Sequence, residues 1–147
     1  MTRRTGFTLI ELVVVIMILG ILAGVAAPKL FNTSATATDN GLKQTLAIVR
    51  DAIELYAGKY GALPGCTGTG SDFRTNVGEF MRGTFPKLPI GPPSIQNFDI
   101  TPEPGAGLIT GDPTDATGWR YNPTTGQFII NYGAASSSDA NVTYDEF

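Results

Sequence analysis

The sequence predicts an α+β protein in which one long N-terminal α-helix packs on a small antiparallel β-sheet. Three observations give this. Apolar residues fill Phe7 to Ala27, with Glu11 the only charged side chain among them. A stripe at spacings of three and four follows, made of Leu42, Leu46, Val49, Ile53, Tyr56 and Tyr60, while Lys43, Arg50, Asp51, Glu54 and Lys59 take other faces. After Gly61 come nine of the ten prolines and a hairpin pattern, which suit short strands and loops better than a helical bundle.

Composition narrows the function. A chain of 147 residues with an apolar start has room for one small further domain, marginal alone and suited to completing its core on a helix. Ten basic residues stand against thirteen acidic ones, and loss of Arg3 and Arg4 would leave eight basic. That acidity argues against a nucleic-acid partner. There is no histidine, and Cys66 is the single cysteine, in the glycine-rich loop Gly65 to Gly70. No catalytic constellation forms from such a set, so an enzyme is not expected.

The first element is the apolar span. About 21 residues at about 1.5 Å each give roughly 32 Å, close to the hydrocarbon thickness of a bilayer. An acidic residue at the middle of such a helix costs about 2.5 to 3.5 kcal/mol, so a carboxylate there asks for a function. Arg3 and Arg4 in front, with Lys29 behind, put the N-terminus on the cytoplasmic side. A secretory signal cut near Ala23 to Ala27 is the competing reading, and Glu11 within the apolar run disfavours it. Gly20 and Gly24 form a small-xxx-small pair that allows close helix approach, although glycine is also simply common in membrane helices. Pro28 lacks an N–H and crowds the Gly24 carbonyl, which weakens the helix locally.

The helix resumes beyond Pro28. Phe31 and Ala35 extend the later stripe backward, so one gently bent helix is expected from about Phe7 to about Tyr60, ended by Gly61 and Pro64. A short helix is expected from Phe73 to Arg82, capped by Asp72 or Thr75, with Val77, Phe80 and Met81 inward. Phe85 to Pro93 reads as an extended loop that buries Leu88 and Ile90, with a proline-recognition ligand as the alternative. Gly118 to Tyr121 and Gln127 to Tyr132 flank Asn122-Pro123-Thr124-Thr125-Gly126, a hairpin with Pro123 at the turn's second position and Gly126 at a positive φ. Trp119 and Tyr121 on one strand, with Phe128, Ile130 and Tyr132 on the other, supply core faces. Phe98 to Ile100 and Leu108 to Thr110 are candidate further strands.

Gly6-Phe7-Thr8-Leu9-Ile10-Glu11-Leu12 resembles the processing motif of type IV pilins and of type II secretion pseudopilins. The resemblance covers roughly Arg3 to Lys29, including Pro28. It implies cleavage of the Gly6–Phe7 bond by a membrane prepilin peptidase, methylation of the new Phe7 amine, and a role for Glu11 in pairing with such an amine during assembly. It further implies that the segment from the glycines to Pro28 can melt on assembly, and that the topology is the type IV pilin-like fold. The implied organisation is a leader at 1–6, a membrane or filament-core half-helix at 7–29, an amphipathic half at 30–60 and a β-rich exoplasmic head at 61–147.

The partners implied are copies of itself or related pilins in a helical filament, the peptidase, an inner-membrane assembly platform and membrane lipid, with no nucleic acid. The place implied is the inner membrane, crossed once, with the head in the periplasm until assembly. A pseudopilin of type II secretion is favoured because no disulfide closes a C-terminal loop. A type IV pilus subunit for adhesion, motility or DNA uptake is the alternative, and a membrane-tethered exoplasmic binding module is a second one. No cofactor is expected. Major pseudopilins often bind calcium near the C-terminus, which makes Asp139 and Asp145 candidates. No twelve-residue calcium loop is present, and a solvated acidic tail over Ala134 to Phe147 is the plainer expectation.

Overall fold

The computed structural model describes residues 6–147 apart from 113, and for 31 and 32 it describes the backbone alone. The expectations for Arg3, Arg4 and the Phe31 side chain lie outside the described residues. The elements in order are α1 (Leu9–Tyr60), α2 (Ser71–Gly78), β1 (Ile100–Pro102), β2 (Trp119–Tyr121), β3 (Phe128–Ile130) and a 3-10 turn (Tyr144–Glu146). The chain divides into two compact units, residues 1–37 and 38–147.

In the first unit α1 opens at Leu9, two residues later than the periodicity suggests, because Thr8 caps it. The helix runs through Pro28 without a break. From Leu9 to Leu30 its large apolar side chains are exposed, from 42% at Val13 to 80% at Leu9. This is a helix long and apolar enough to cross a membrane. A Cβ placed on Gly20 or Gly24 would meet nothing within 4 Å.

In the second unit the stripe Leu42, Leu46, Val49 and Ile53 is buried, joined by Ala52. The core closes over it with Phe73 and Val77 of α2, Leu88 of the proline-rich loop, Ile95 just beyond that loop, Ile100 of β1, Trp119 and Tyr121 of β2, and Phe128 and Ile130 of β3. Tyr56 is half-buried and Tyr60 exposed, so the stripe fades as α1 ends at Gly61, whose φ is 74°. The hairpin forms as the sequence predicts: Trp119 faces Ile130 and Tyr121 faces Phe128 across an antiparallel pair. Its turn closes through the Gly126 N–H on the Asn122 carbonyl, with Gly126 at φ 78°.

Four expectations change. The sheet is mixed, not wholly antiparallel, since β1 runs parallel to β2 in the order β1-β2-β3. β1 begins at Ile100, where the Phe98–Ile100 candidate ends, and Leu108 to Thr110 is loop. α2 stops at Gly78 and its N-cap is Gly70, while Asp72 instead accepts hydrogen bonds from the Thr67 N–H and hydroxyl, each at 3.0 Å. The C-terminal stretch is pinned at two points while its acidic residues Asp139 and Glu146 stay exposed: Ser136 and Tyr144 are buried, and Ala135 bridges Thr143.

The proline-rich loop is held as expected, with Leu88 fully buried and its N–H on the Asn97 carbonyl at 3.0 Å. Trp119 donates its indole N–H to the Pro86 carbonyl at 3.1 Å, which satisfies the one polar atom that a buried tryptophan carries.

Candidate functional site

The candidate site is the N-terminal end of α1. A helix opens with N–H groups that have no partner within the helix, and a hydroxyl at the cap with a carboxylate three residues on can serve two of them. Thr8 and Glu11 do this. The Thr8 N–H donates to Glu11 Oε2 at 2.9 Å, the Thr8 hydroxyl donates to the same oxygen at 2.7 Å, and the Glu11 N–H reaches the Thr8 hydroxyl oxygen at 3.3 Å. Glu11 therefore folds back over the start of the helix, toward the Gly6–Phe7 segment. Gly6 and Phe7 precede the helix in irregular backbone, both exposed. An exposed, non-helical segment with a glycine in it is what a protease needs to engage backbone closely.

Thr8 is the residue that sequence reasoning missed. Its signal is the capping-box spacing of Thr8 and Glu11 directly before an apolar run. Pairing Glu11 with an amine one turn away leaves this local partner unnamed. Gly20, Gly24 and Pro28 all lie within the apolar part of α1, where the large side chains are exposed.

Cys66 belongs to the core, not to a flexible loop. It is 8% exposed, and burial, with the Asp72 charge adding to it, pushes its thiol up to about 12. Such a thiol stays protonated and inert at neutral pH. Arg50, expected on an outward face, is half-buried. Its guanidinium donates to the Phe128 carbonyl at 3.1 and 2.9 Å and to the Phe147 carbonyl at 2.9 Å, tying helix, hairpin and C-terminus together.

Asp139 and Asp145 serve separate contacts. Asp139 Oδ1 accepts from the Asn141 N–H at 2.9 Å, and Asp145 Oδ2 accepts from the Gly111 N–H at 2.9 Å. Asp145 Oδ1 is buried without a partner. Among the described residues no three His, Cys, Asp or Glu side chains gather to hold a metal.

Comparison with known proteins bears on the same end of the chain. Residues 1–27 match the family model of the prokaryotic N-terminal methylation motif. The chain is 41% identical over 68 residues to prepilin peptidase-dependent protein D of Escherichia coli (strain K12), covering 46% of this chain and 47% of that one. It is 38% identical over 64 residues to the type IV narrow pilus major component PilA5 of Thermus thermophilus, covering 44% of this chain and 55% of that one. It is 29% identical over 119 residues to type II secretion system core protein G of Dickeya chrysanthemi, covering 81% of this chain and 67% of that one. The chain thus spans about half the length of the first two curated relatives. No solved structure matches it. The chain thus resembles type IV pilins and type II secretion pseudopilins, and the relatives it matches are named as a pilus component and a secretion-system core protein.

Proposed function

We propose that this chain, which bears the prepilin-type methylation motif, is a pseudopilin: a structural subunit cut between Gly6 and Phe7 that polymerises into a type II secretion pseudopilus. One observation carries the reading. The apolar first part of α1, with its large side chains exposed from Leu9 to Val25, opens two residues after the Gly6–Phe7 bond, and its only charge before Lys29 is the carboxylate folded over its first turn. Such a surface is tolerable in lipid or against like helices, and poorly tolerable in water.

Cleavage gives the reading its chemistry. Hydrolysis of the Gly6–Phe7 bond leaves a cationic amine on Phe7, next to the Thr8 N–H that Glu11 already accepts. Within a monomer the carboxylate has a hydrogen-bonded partner at hand. In a filament it exchanges that partner for the amine of a neighbour, and an ion pair at contact distance and an effective dielectric of about 20 is of the same size as the cost of placing an acid in lipid. An apolar rod could slide along its neighbours. A rod with one charge pair stops where the charges meet, which sets axial register.

The partners in this reading are copies of the chain or related pilins, the prepilin peptidase and an inner-membrane assembly platform. The helix lies in the inner membrane, N-terminus inside, until assembly. Similarity to core protein G that extends over 81% of the chain favours the secretion pseudopilus. The 38% identity to a type IV pilus component supports the second reading, a pilus subunit.

Mass spectrometry of the mature protein tests the processing: the expected product begins at methylated Phe7, and a product beginning after Ala27 would overturn it. Glu11→Ala is expected to leave that cut intact while filaments seen by electron microscopy fall to near absence. Normal filaments from Glu11→Ala subunits would remove the assembly role.

A further inference from the structure

We propose that the second unit docks head-to-tail on a second copy of this chain, with Leu108 of one copy seated in the cleft at Ile48 of the next and Glu54 of the first meeting Arg82 of the second. This rests on the filament reading above. The buried stripe of Leu42, Leu46, Val49 and Ile53 fixes which way α1 faces. Thr45 and Glu54 are separated by about two and a half turns at 3.6 residues per turn, so they leave the helix on opposite flanks.

On the Thr45 flank an open cleft of about 150 Å³ is lined by Thr45, Ile48, Met81, Arg82 and Pro86, among others. A volume on the order of 150 Å³ admits benzene in an apolar setting, so it has room for a leucine side chain. Ile48 is 47% exposed there. Arg82 is exposed and outside the ion pairs among the described residues, which are Lys59–Glu79, Arg74–Asp99 and Arg120–Glu103.

The Glu54 flank is the counterpart. Glu54 is exposed and outside the same three ion pairs, and it lines an open cavity with Leu108, Leu63 and Gly126. Leu108, at 89%, is the most exposed large apolar side chain among the described residues.

Each flank thus offers an exposed apolar group and an exposed charge outside those ion pairs, Arg82 on one and Glu54 on the other, while Arg50, which lines the same cavity as Glu54, is already taken up by the Phe128 and Phe147 carbonyls. A two-fold contact would set Arg82 near Arg82, whereas a head-to-tail contact sets it against Glu54. A head-to-tail contact whose rotation does not close builds a helical filament, so the same two flanks serve every copy. The charge pair orients the copies and the leucine fixes their spacing.

Thiol crosslinking in the full chain, in membranes of the native host, tests this. Ile48→Cys and Leu108→Cys are made singly and together and treated with a short bismaleimide. The parent chain, whose only thiol is the buried Cys66, is the blank. Co-expressed singles are expected to give a covalent dimer and the double variant a ladder, with neither single alone giving product. Adding Arg82→Glu is expected to cut the product by about tenfold, and Glu54→Arg in the same chain to restore it.

A correctly cut N-terminus and visible filaments without the mixed dimer would overturn the docking and leave the filament reading standing. Product from Ile48→Cys alone would overturn the head-to-tail arrangement, and failure of Glu54→Arg to rescue would overturn the charge pairing. Absence of filaments from the parent chain itself would instead strike the filament reading, and the docking with it.

Discussion

Two carboxylates in this chain do opposite things with similar means. Glu11 is exposed and keeps its capping contacts with Thr8, which can be exchanged for a new partner at little structural cost. Thr8→Ala removes the hydroxyl from both sides of that box, and amide exchange at Glu11 and Leu12 is expected to rise several-fold. Exchange unchanged from the parent would deny Thr8 its capping role. Asp39 is 1% exposed, and its Oδ2 accepts from the Ser136 hydroxyl at 2.5 Å, the Ser138 N–H at 2.9 Å and the Ser138 hydroxyl. Burial pushes its carboxyl upward, and the hydrogen bonds from Ser136 and Ser138 outweigh it, so the net shift is below the usual 3.8. A group whose pKa falls on folding stabilises the fold above its unfolded value, and that contribution is lost as pH drops through the folded value. Stability from Asp39 is therefore present at neutral pH and fades below about pH 4. Asp39→Asn is expected to lower stability at pH 7 by about 1 to 3 kcal/mol and to flatten the loss toward pH 3, both read by urea unfolding. Equal stability of variant and parent at both pH values would show that the serines do not depend on the charge.

At the scale of elements, what could be read in the sequence follows how local each element is. The hairpin was legible because its strands, its Pro123 turn and the positive φ of Gly126 lie within one short stretch. The stripe on α1 was legible for the same reason. The β1–β2 pairing was not, since nothing near Ile100 says that a parallel partner arrives with Trp119. The cap of α2 failed likewise: Asp72 and Thr75 are good local capping residues, but the backbone turns at Gly70 because Ile100 of β1 presses there. Gly70 has φ 72°, and a Cβ on it would stand 2.7 Å from Ile100 Cβ. Gly70→Ala is expected to cost at least about 1 to 3 kcal/mol, strain and clash acting together. Gly78, in the same helix, has open space around it, with nothing within 4 Å of where a methyl group would stand. Gly78→Ala is expected to be neutral or to stabilise by up to about 1 kcal/mol. Thermal melts of the two variants give the comparison, and a Gly70→Ala protein as stable as the parent would show that neither the positive φ nor the Ile100 contact selects the glycine.

For the whole molecule the informative fact is that the core of residues 38–147 is shared between the later part of α1 and everything after it. The processing motif was legible because chemistry ties it to a few consecutive residues, whereas the C-terminal stretch looked solvated because its partners, Asp39 and Arg50, lie 97 residues earlier in each case. A chain of fewer than about a hundred residues buries a limited fraction of its surface, so a small domain has no apolar side chains to spare. Leu42, Leu46, Val49 and Ile53 form one wall of the core against Trp119, Phe128 and Ile130. Arg50 holds the Phe128 and Phe147 carbonyls from the same helix. A fragment comprising 38–147 is therefore expected to unfold in one cooperative thermal transition, with tertiary near-ultraviolet circular dichroism. A fragment comprising 61–147 loses that wall and the guanidinium that serves both carbonyls, and is expected to show neither. Leu46→Ala in the longer fragment supplies the graded case, with an expected loss of about 2 to 5 kcal/mol. A cooperative transition from 61–147 would mean that the sheet and its loops hold their own core, and that the helix is only an anchor laid beside it.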